Sequence, residues 1–132
     1  KGINIDKNIV PNIIDEIPII SILAINADGK TTFNGISELR VKESDRLKAI
    51  ISNIKLMNGD AAELKDNLVI NGNKKLHNTT ISSFNDHRIF MSFYIANLAL
   101  DRFYSDSLSD KCYNKSFSNF IDLMKEIVHE NI

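Results

Sequence analysis

The run Glu38-Leu39-Arg40-Val41-Lys42-Glu43-Ser44-Asp45-Arg46-Leu47 sets three cations and three anions in ten residues, just ahead of an apolar stripe. That stripe is Leu47, Ile50, Ile51, Ile54 and Met57, and Asn58-Gly59 stops it. The spacing predicts a helix over 44–57. Cations at a helix start oppose the positive end of the helix dipole. A second run, Asn85-Asp86-His87-Arg88, repeats the placement ahead of a helix predicted over 86–100. Two such placements in one small chain point to a site for an anion.

Outward from these runs, strand and helix signals alternate. Ile3 to Ile5 reads as a short strand. Ile17 to Ala27 reads as a helix with Ile17, Ile20, Leu23, Ala24 and Ala27 on one face, Asp15 or Glu16 at its start and Gly29 at its end. Thr31 to Phe33, then Ala61 to Leu64 and Leu68 to Ile70 across a turn near Asp66-Asn67, read as strands. Thr79 to Ser82 reads as another strand, and Phe117 to Val128 as a third strong helix. The string over 1–72 is β-α-β-α-β-β, and the rest begins to repeat it. The expectation is an α/β (α+β) fold with helices packed on sheets: one unit over about 1–73 and an incomplete second over about 74–132. A repeat that stops short leaves sheet edges that further chain must cover. The chain opens Lys1-Gly2-Ile3 without methionine, and we expect a piece of a longer polypeptide.

Composition narrows the function classes. The 132 residues are 43% hydrophobic and 25% charged, as in a soluble globular protein. A net charge of -1 gives no global field for nucleic acid, so any basic patch is local. No apolar run reaches membrane-spanning length. The single cysteine, Cys112, forms no internal disulfide, which favours a reducing, cytoplasmic compartment.

Three groups of residues could carry chemistry. Lys42 and Arg46 are four apart and share a face if the helix starts early, with Glu43 beside them. Two cations can hold a carboxylate or phosphate, and a glutamate among them can pass a proton. The bland alternative is a solvated helix start with Ser44 or Asp45 as cap. In Asp86-His87-Arg88 the aspartate is a natural cap, histidines exchange protons near neutral pH, and the arginine could grip a carboxylate. Asp15-Glu16 reads as helix capping, or as a carboxylate that takes a proton from a substrate hydroxyl. Lys115 reads as a surface lysine, or as one more anion contact at the start of the last helix. There is no phosphate-binding glycine loop, dinucleotide fingerprint, zinc spacing or nucleophile elbow.

The segments Glu38–Arg46, Asn85–Arg88, Lys115-Ser116-Phe117 before Phe120, and Ile14–Pro18 upstream of Gly29 resemble, in order and spacing, the C-terminal part of the 5-enolpyruvylshikimate-3-phosphate synthase family. The resemblance runs from about Asn12 to Val128. It implies an enolpyruvyl transferase-like fold built from β-α-β-α-β-β units. It implies transfer of the enolpyruvyl group of phosphoenolpyruvate to the 5-hydroxyl of shikimate-3-phosphate with release of phosphate, on the route to aromatic amino acids. Neither a metal nor an organic cofactor is implied.

By the same resemblance Asp15 contacts the shikimate hydroxyls and helps deprotonate the attacking one, and Glu43 handles the proton at the phosphoenolpyruvate methylene. His87 stands near the reacting centre. Arg46 and Arg88 bind the phosphoenolpyruvate carboxylate, Lys42 and Glu38 contact shikimate-3-phosphate, and Lys115 faces the phosphate side. The family is two similar halves with the site in the cleft between them. This chain would then be part of the C-terminal domain, its partner the missing N-terminal domain of the same chain, and alone it would be inactive. Two departures stand out: Ser118 replaces a proline of many relatives, and Asp101 to Lys111 is polar where relatives keep a strand. The runners-up are a UDP-sugar enolpyruvyl transferase and a non-catalytic anion-binding domain of the same fold. The proton-transfer groups argue against the latter.

Overall fold

Alternating burial along Lys30–Asn34 (β2), with Thr31 and Phe33 inward, fixes one face of a sheet onto a layer of helices. The computed structural model describes residues 1–106 and 111–130. Its sheet also contains Asn4–Ile5 (β1), Asp60–Leu64 (β3) and Asn67–Asn71 (β4), in the order β1-β2-β4-β3. β1 runs parallel to β2, pairing Asn4 with Thr32 and Ile5 with Phe33. The chain between them forms the short helix Val10–Ile13 (α1), a 3₁₀ turn Ile14–Glu16, and the helix Ile17–Ile25 (α2). β4 is antiparallel to β2, from Lys30–Asn71 to Asn34–Asn67, and to β3, from Asp60–Asn71 to Leu64–Asn67. The β3–β4 turn is Lys65-Asp66, one residue earlier than read, with Lys65 in the left-handed region at φ 57°.

The helices Arg46–Leu56 (α3) and His87–Leu100 (α4) complete the helical layer. Leu47, Ile50 and Ile54 of α3 join Phe33, Leu68 and Ile70 of the sheet and Ile89, Phe90 and Phe93 of α4 in one core, each at most 1% exposed. Burying such a side chain is worth about 1.5–3 kcal/mol relative to leaving it in water. α4 lies against α2 and α3, which brings the starts of all three helices to one place. Beyond α4 come a 3₁₀ turn Cys112–Lys115 and the helix Phe120–Glu130 (α5). Among the described residues no helix is long and apolar enough to cross a membrane.

This is the α/β arrangement expected from the sequence, with three local differences. α2 buries Ile17, Ser21, Ile22, Ala24 and Ile25, whereas Leu23 is 70% exposed. The helix is apolar all round, so periodicity could not choose its inner face. α5 starts at Phe120 and not Phe117, and Lys115 sits in the preceding turn. Residues 107–110 of the Asp101–Lys111 stretch lie outside the described residues.

The third difference is Thr79–Ser82, which is no strand. Its backbone is held by the amides of two buried asparagines. Asn53 on α3 donates to the Ser82 carbonyl at 2.8 Å and accepts from the Ser82 N–H at 2.9 Å. Asn97 on α4 accepts from the Thr79 N–H at 3.0 Å. Side chains supply the bonds a neighbouring strand would otherwise make.

Candidate active site

α3 begins at Arg46, with Asp45 as its cap accepting from the Lys48 N–H at 3.0 Å. Lys42 therefore lies off the helix, in extended backbone after the 3₁₀ turn Ser37–Val41. The expected helical i, i+4 pairing of Lys42 with Arg46 does not form. Asp15 and Glu16 do not cap α2 either: Glu16 stands at the cap position without a side-chain cap bond, and Pro18 leaves one fewer N–H there to satisfy. The Asp15 carboxylate faces Arg46 instead.

Asp86 resolves the cation at the start of α3. It caps α4, its Oδ1 accepting from the N–H groups of Arg88 at 3.0 Å and Ile89 at 3.4 Å. Its Oδ2 accepts from Arg46 Nε at 2.8 Å and from the Ser44 hydroxyl at 2.9 Å. Asp86 is fully buried and Arg46 is 3% exposed, so each is the other's compensation. Burial pushes the Asp86 carboxyl up, but the hydrogen bonds from Arg46 and Ser44 outweigh it and hold the group below the ordinary carboxylate value. The turn that delivers Asp86 is strained: Phe84 and Asn85 both lie in the left-handed region, at φ 54° and 56°.

Around this buried pair the other candidate residues form one connected network. Glu43 Oε2 lies 2.5 Å from His87 Nδ1 and 3.9 Å from Arg46 Nη2, and Glu43 Oε1 lies 4.0 Å from Lys115 Nζ. Asp15 Oδ1 accepts from Arg46 Nη1 at 3.0 Å and lies 3.8 Å from Lys42 Nζ. Lys42 donates to Glu38 at 2.9 Å. Arg88 Nη1 donates to the Asp15 main-chain carbonyl at 3.2 Å. A cleft of about 240 Å³ opens beside the network, lined by Asp15, Glu16, Arg88, Ser92, Phe117 and Phe120 among others.

Such an arrangement can hold anions and move protons. A carboxylate–imidazole pair at hydrogen-bond distance has the geometry of an acid–base relay. Lys42, Arg46 and Lys115 lie within 4.0 Å of the carboxylates of this network, and Arg88 bonds the Asp15 main chain. Glu43, Asp86 and His87 offer ligand atoms within 4.8 Å of one another, but both Asp86 oxygens already face the Arg46 guanidinium, which supplies the positive charge there. Sequence reasoning named Asp86 only as a cap and missed it as the counterion of Arg46. The available signal was an arginine at a helix start with no acidic residue in the turn that follows it, Leu47 to Ile50. Ser44 was likewise read as a cap, and its hydroxyl donates to Asp86.

Fold and site define a class: an α/β chain in which a carboxylate–imidazole pair sits among cations, near the starts of helices packed on a mixed sheet. The family model described as EPSP synthase (3-phosphoshikimate 1-carboxyvinyltransferase) matches residues 1–124, and the chain belongs to that family. It is 49% identical over 98 residues to the 3-phosphoshikimate 1-carboxyvinyltransferase of Persephonella marina, covering 74% of this chain and 23% of the relative. It is 38% identical over 127 residues to the enzyme of that name from Sulfurihydrogenibium, covering 96% and 29%. The EPSP synthase of Acinetobacter baumannii, solved at 2.37 Å, superposes with a TM-score of 0.81 at 34% identity over 96% of this chain and 30% of that one. The chain thus spans about a quarter to a third of the length of the relatives it matches.

Proposed function

We propose that this chain carries part of the active site of a 3-phosphoshikimate 1-carboxyvinyltransferase, as part of the C-terminal domain of a longer polypeptide in the cytoplasm. Its substrates are phosphoenolpyruvate and shikimate-3-phosphate, and an N-terminal domain of the same polypeptide closes the cleft. The observation that carries this reading is the Glu43–His87 contact of 2.5 Å, set between Arg46 and Lys115. A domain that only held anions would need the cations and not the relay.

In the proposed reaction Arg46 and Arg88 take the phosphoenolpyruvate carboxylate, while Lys42 and Glu38 take the shikimate ring and its substituents. Asp15 accepts the proton of the attacking 5-hydroxyl as its oxygen bonds to C2. Glu43 delivers a proton to C3, which becomes a methyl group. In the second step Glu43 takes a proton back from C3, the C2–O bond to phosphate breaks, and phosphate leaves from the Lys115 side. Holding two anionic substrates together is an entropic and electrostatic task, and clustered cations at helix starts suit it.

The test is a substrate exchange on a polypeptide of the relatives' length that carries this sequence. Phosphate release from phosphoenolpyruvate is expected with shikimate-3-phosphate and not with a UDP-sugar acceptor. Release with the UDP-sugar alone would overturn the acceptor assignment, and release with neither from folded protein would overturn the reaction. The 132-residue chain alone is expected to give no turnover, because it supplies one wall of the cleft.

A further inference from the structure

Both arginines assigned to the substrate carboxylate are docked on a single residue. The Asp15 side chain accepts from Arg46 Nη1 at 3.0 Å, and the Asp15 main-chain carbonyl accepts from Arg88 Nη1 at 3.2 Å. Arg46 has little else to offer. Its Nε and Nη2 bond Asp86, and its side chain is 4% exposed, so Nη1 is the arm nearest an incoming ligand. Asp15 itself is 45% exposed and free to turn toward water. It also lies 3.8 Å from Lys42, a third cation of the site.

We infer that Asp15 is an internal stand-in for the substrate carboxylate, displaced when that carboxylate binds. In the empty site it satisfies the buried guanidinium of Arg46 and holds Arg88 alongside. When a substrate carboxylate bonds the two arginines, the Asp15 carboxylate loses Arg46 and turns to a substrate hydroxyl. The exchange conserves charge at Arg46 and frees an oxygen acceptor only once an anion is in place. Glu43 provides an internal control: it lies 3.9 Å from the same guanidinium, with no hydrogen bond to it. This inference rests on the proposed roles of Arg46 and Arg88.

The test uses a polypeptide of the relatives' length that carries this sequence, and phosphoenolpyruvate, with binding followed by calorimetry and by NMR of the arginine side chains and the Asp15 carboxyl carbon. A charge-assisted hydrogen bond to a half-exposed partner is worth about tenfold in affinity, so Asp15→Asn is expected to tighten phosphoenolpyruvate binding by about tenfold. Glu43→Gln, which removes one nearby charge and no direct bond, is expected to tighten it by about twofold or less. In the unsubstituted chain the Asp15 carboxyl resonance is expected to move as Arg46 saturates. Asp15→Ser repeats the test should the asparagine variant misfold. If phosphoenolpyruvate binds and the Asp15 variants gain no more than Glu43→Gln, the stand-in idea is overturned and the carboxylate assignment stands. If phosphoenolpyruvate binds no folded form of that longer polypeptide, both are overturned.

Discussion

Replacing Asp86 by asparagine removes one charge and almost no volume. The new amide oxygen can still cap α4 by accepting from Arg88 and Ile89, so the helix start survives. What is lost is the counterion of Arg46, which is 3% exposed. Removing one partner of a buried pair costs about 3–5 kcal/mol when the other is left uncompensated. Arg46 keeps Asp15 at 3.0 Å and has Glu43 at 3.9 Å, so we expect a loss below that range, about 2–3 kcal/mol at pH 7. The folded carboxyl titrates below its ordinary 3.8, and the unfolded chain therefore binds the proton first as pH falls. Stability from Asp86 is then fully present above the ordinary value and is lost as pH drops through the folded one. Urea unfolding of both proteins at pH 7 and near pH 3 measures it. The gap between them is expected to shrink at the lower pH. A gap under about 0.5 kcal/mol at pH 7, or one that does not change with pH, would refute the idea that this pair holds the site together.

Three further outcomes follow from particular side chains. Asn53→Ala removes the amide that bonds both backbone groups of Ser82, and urea unfolding is expected to show a loss of about 2–3 kcal/mol, with amide exchange faster over 78–83. Tyr94→Phe deletes a buried hydroxyl that has no hydrogen-bond partner among the described residues, so the unfolding free energy from urea titration is expected to stay level or rise, by about 1 kcal/mol at most. A clear loss there would show a hidden partner for that hydroxyl. Arg88→Ala is expected to raise the KM for phosphoenolpyruvate more than it lowers kcat in a polypeptide of the relatives' length, since its proposed role is to hold the ground-state carboxylate.

The legible parts of the fold were those written in local periodicity. The stripe Leu47, Ile50, Ile54 declared α3, and Asp86 declared the start of α4, because both signals span single turns. What stayed hidden depends on pairs far apart in sequence. Arg46 and Asp86 are separated by 40 residues, so neither reads as the other's partner. Thr79 to Ser82 has the β-branched composition of a strand, yet Asn53 and Asn97 bond its backbone from two helices. Asparagines fully buried within otherwise apolar helix faces were the available sign that something other than a sheet would use those amides. All eight candidate residues named from sequence lie in one network, but the reason differs from the one read: Lys42 reaches Asp15 from a turn, and Lys115 reaches Glu43 from the turn before α5.

The Glu43–His87 relay is the centre of the proposed chemistry, and phosphate release by Glu43→Gln in a polypeptide of the relatives' length tests it most directly. The substitution keeps shape and removes the proton carrier. General acid–base catalysis is worth about 10² to 10⁴ in rate, so kcat is expected to fall by that factor while the KM for phosphoenolpyruvate changes by less than about threefold. A kcat within about threefold of the parent would contradict the assignment of Glu43 as the group that moves the methylene proton.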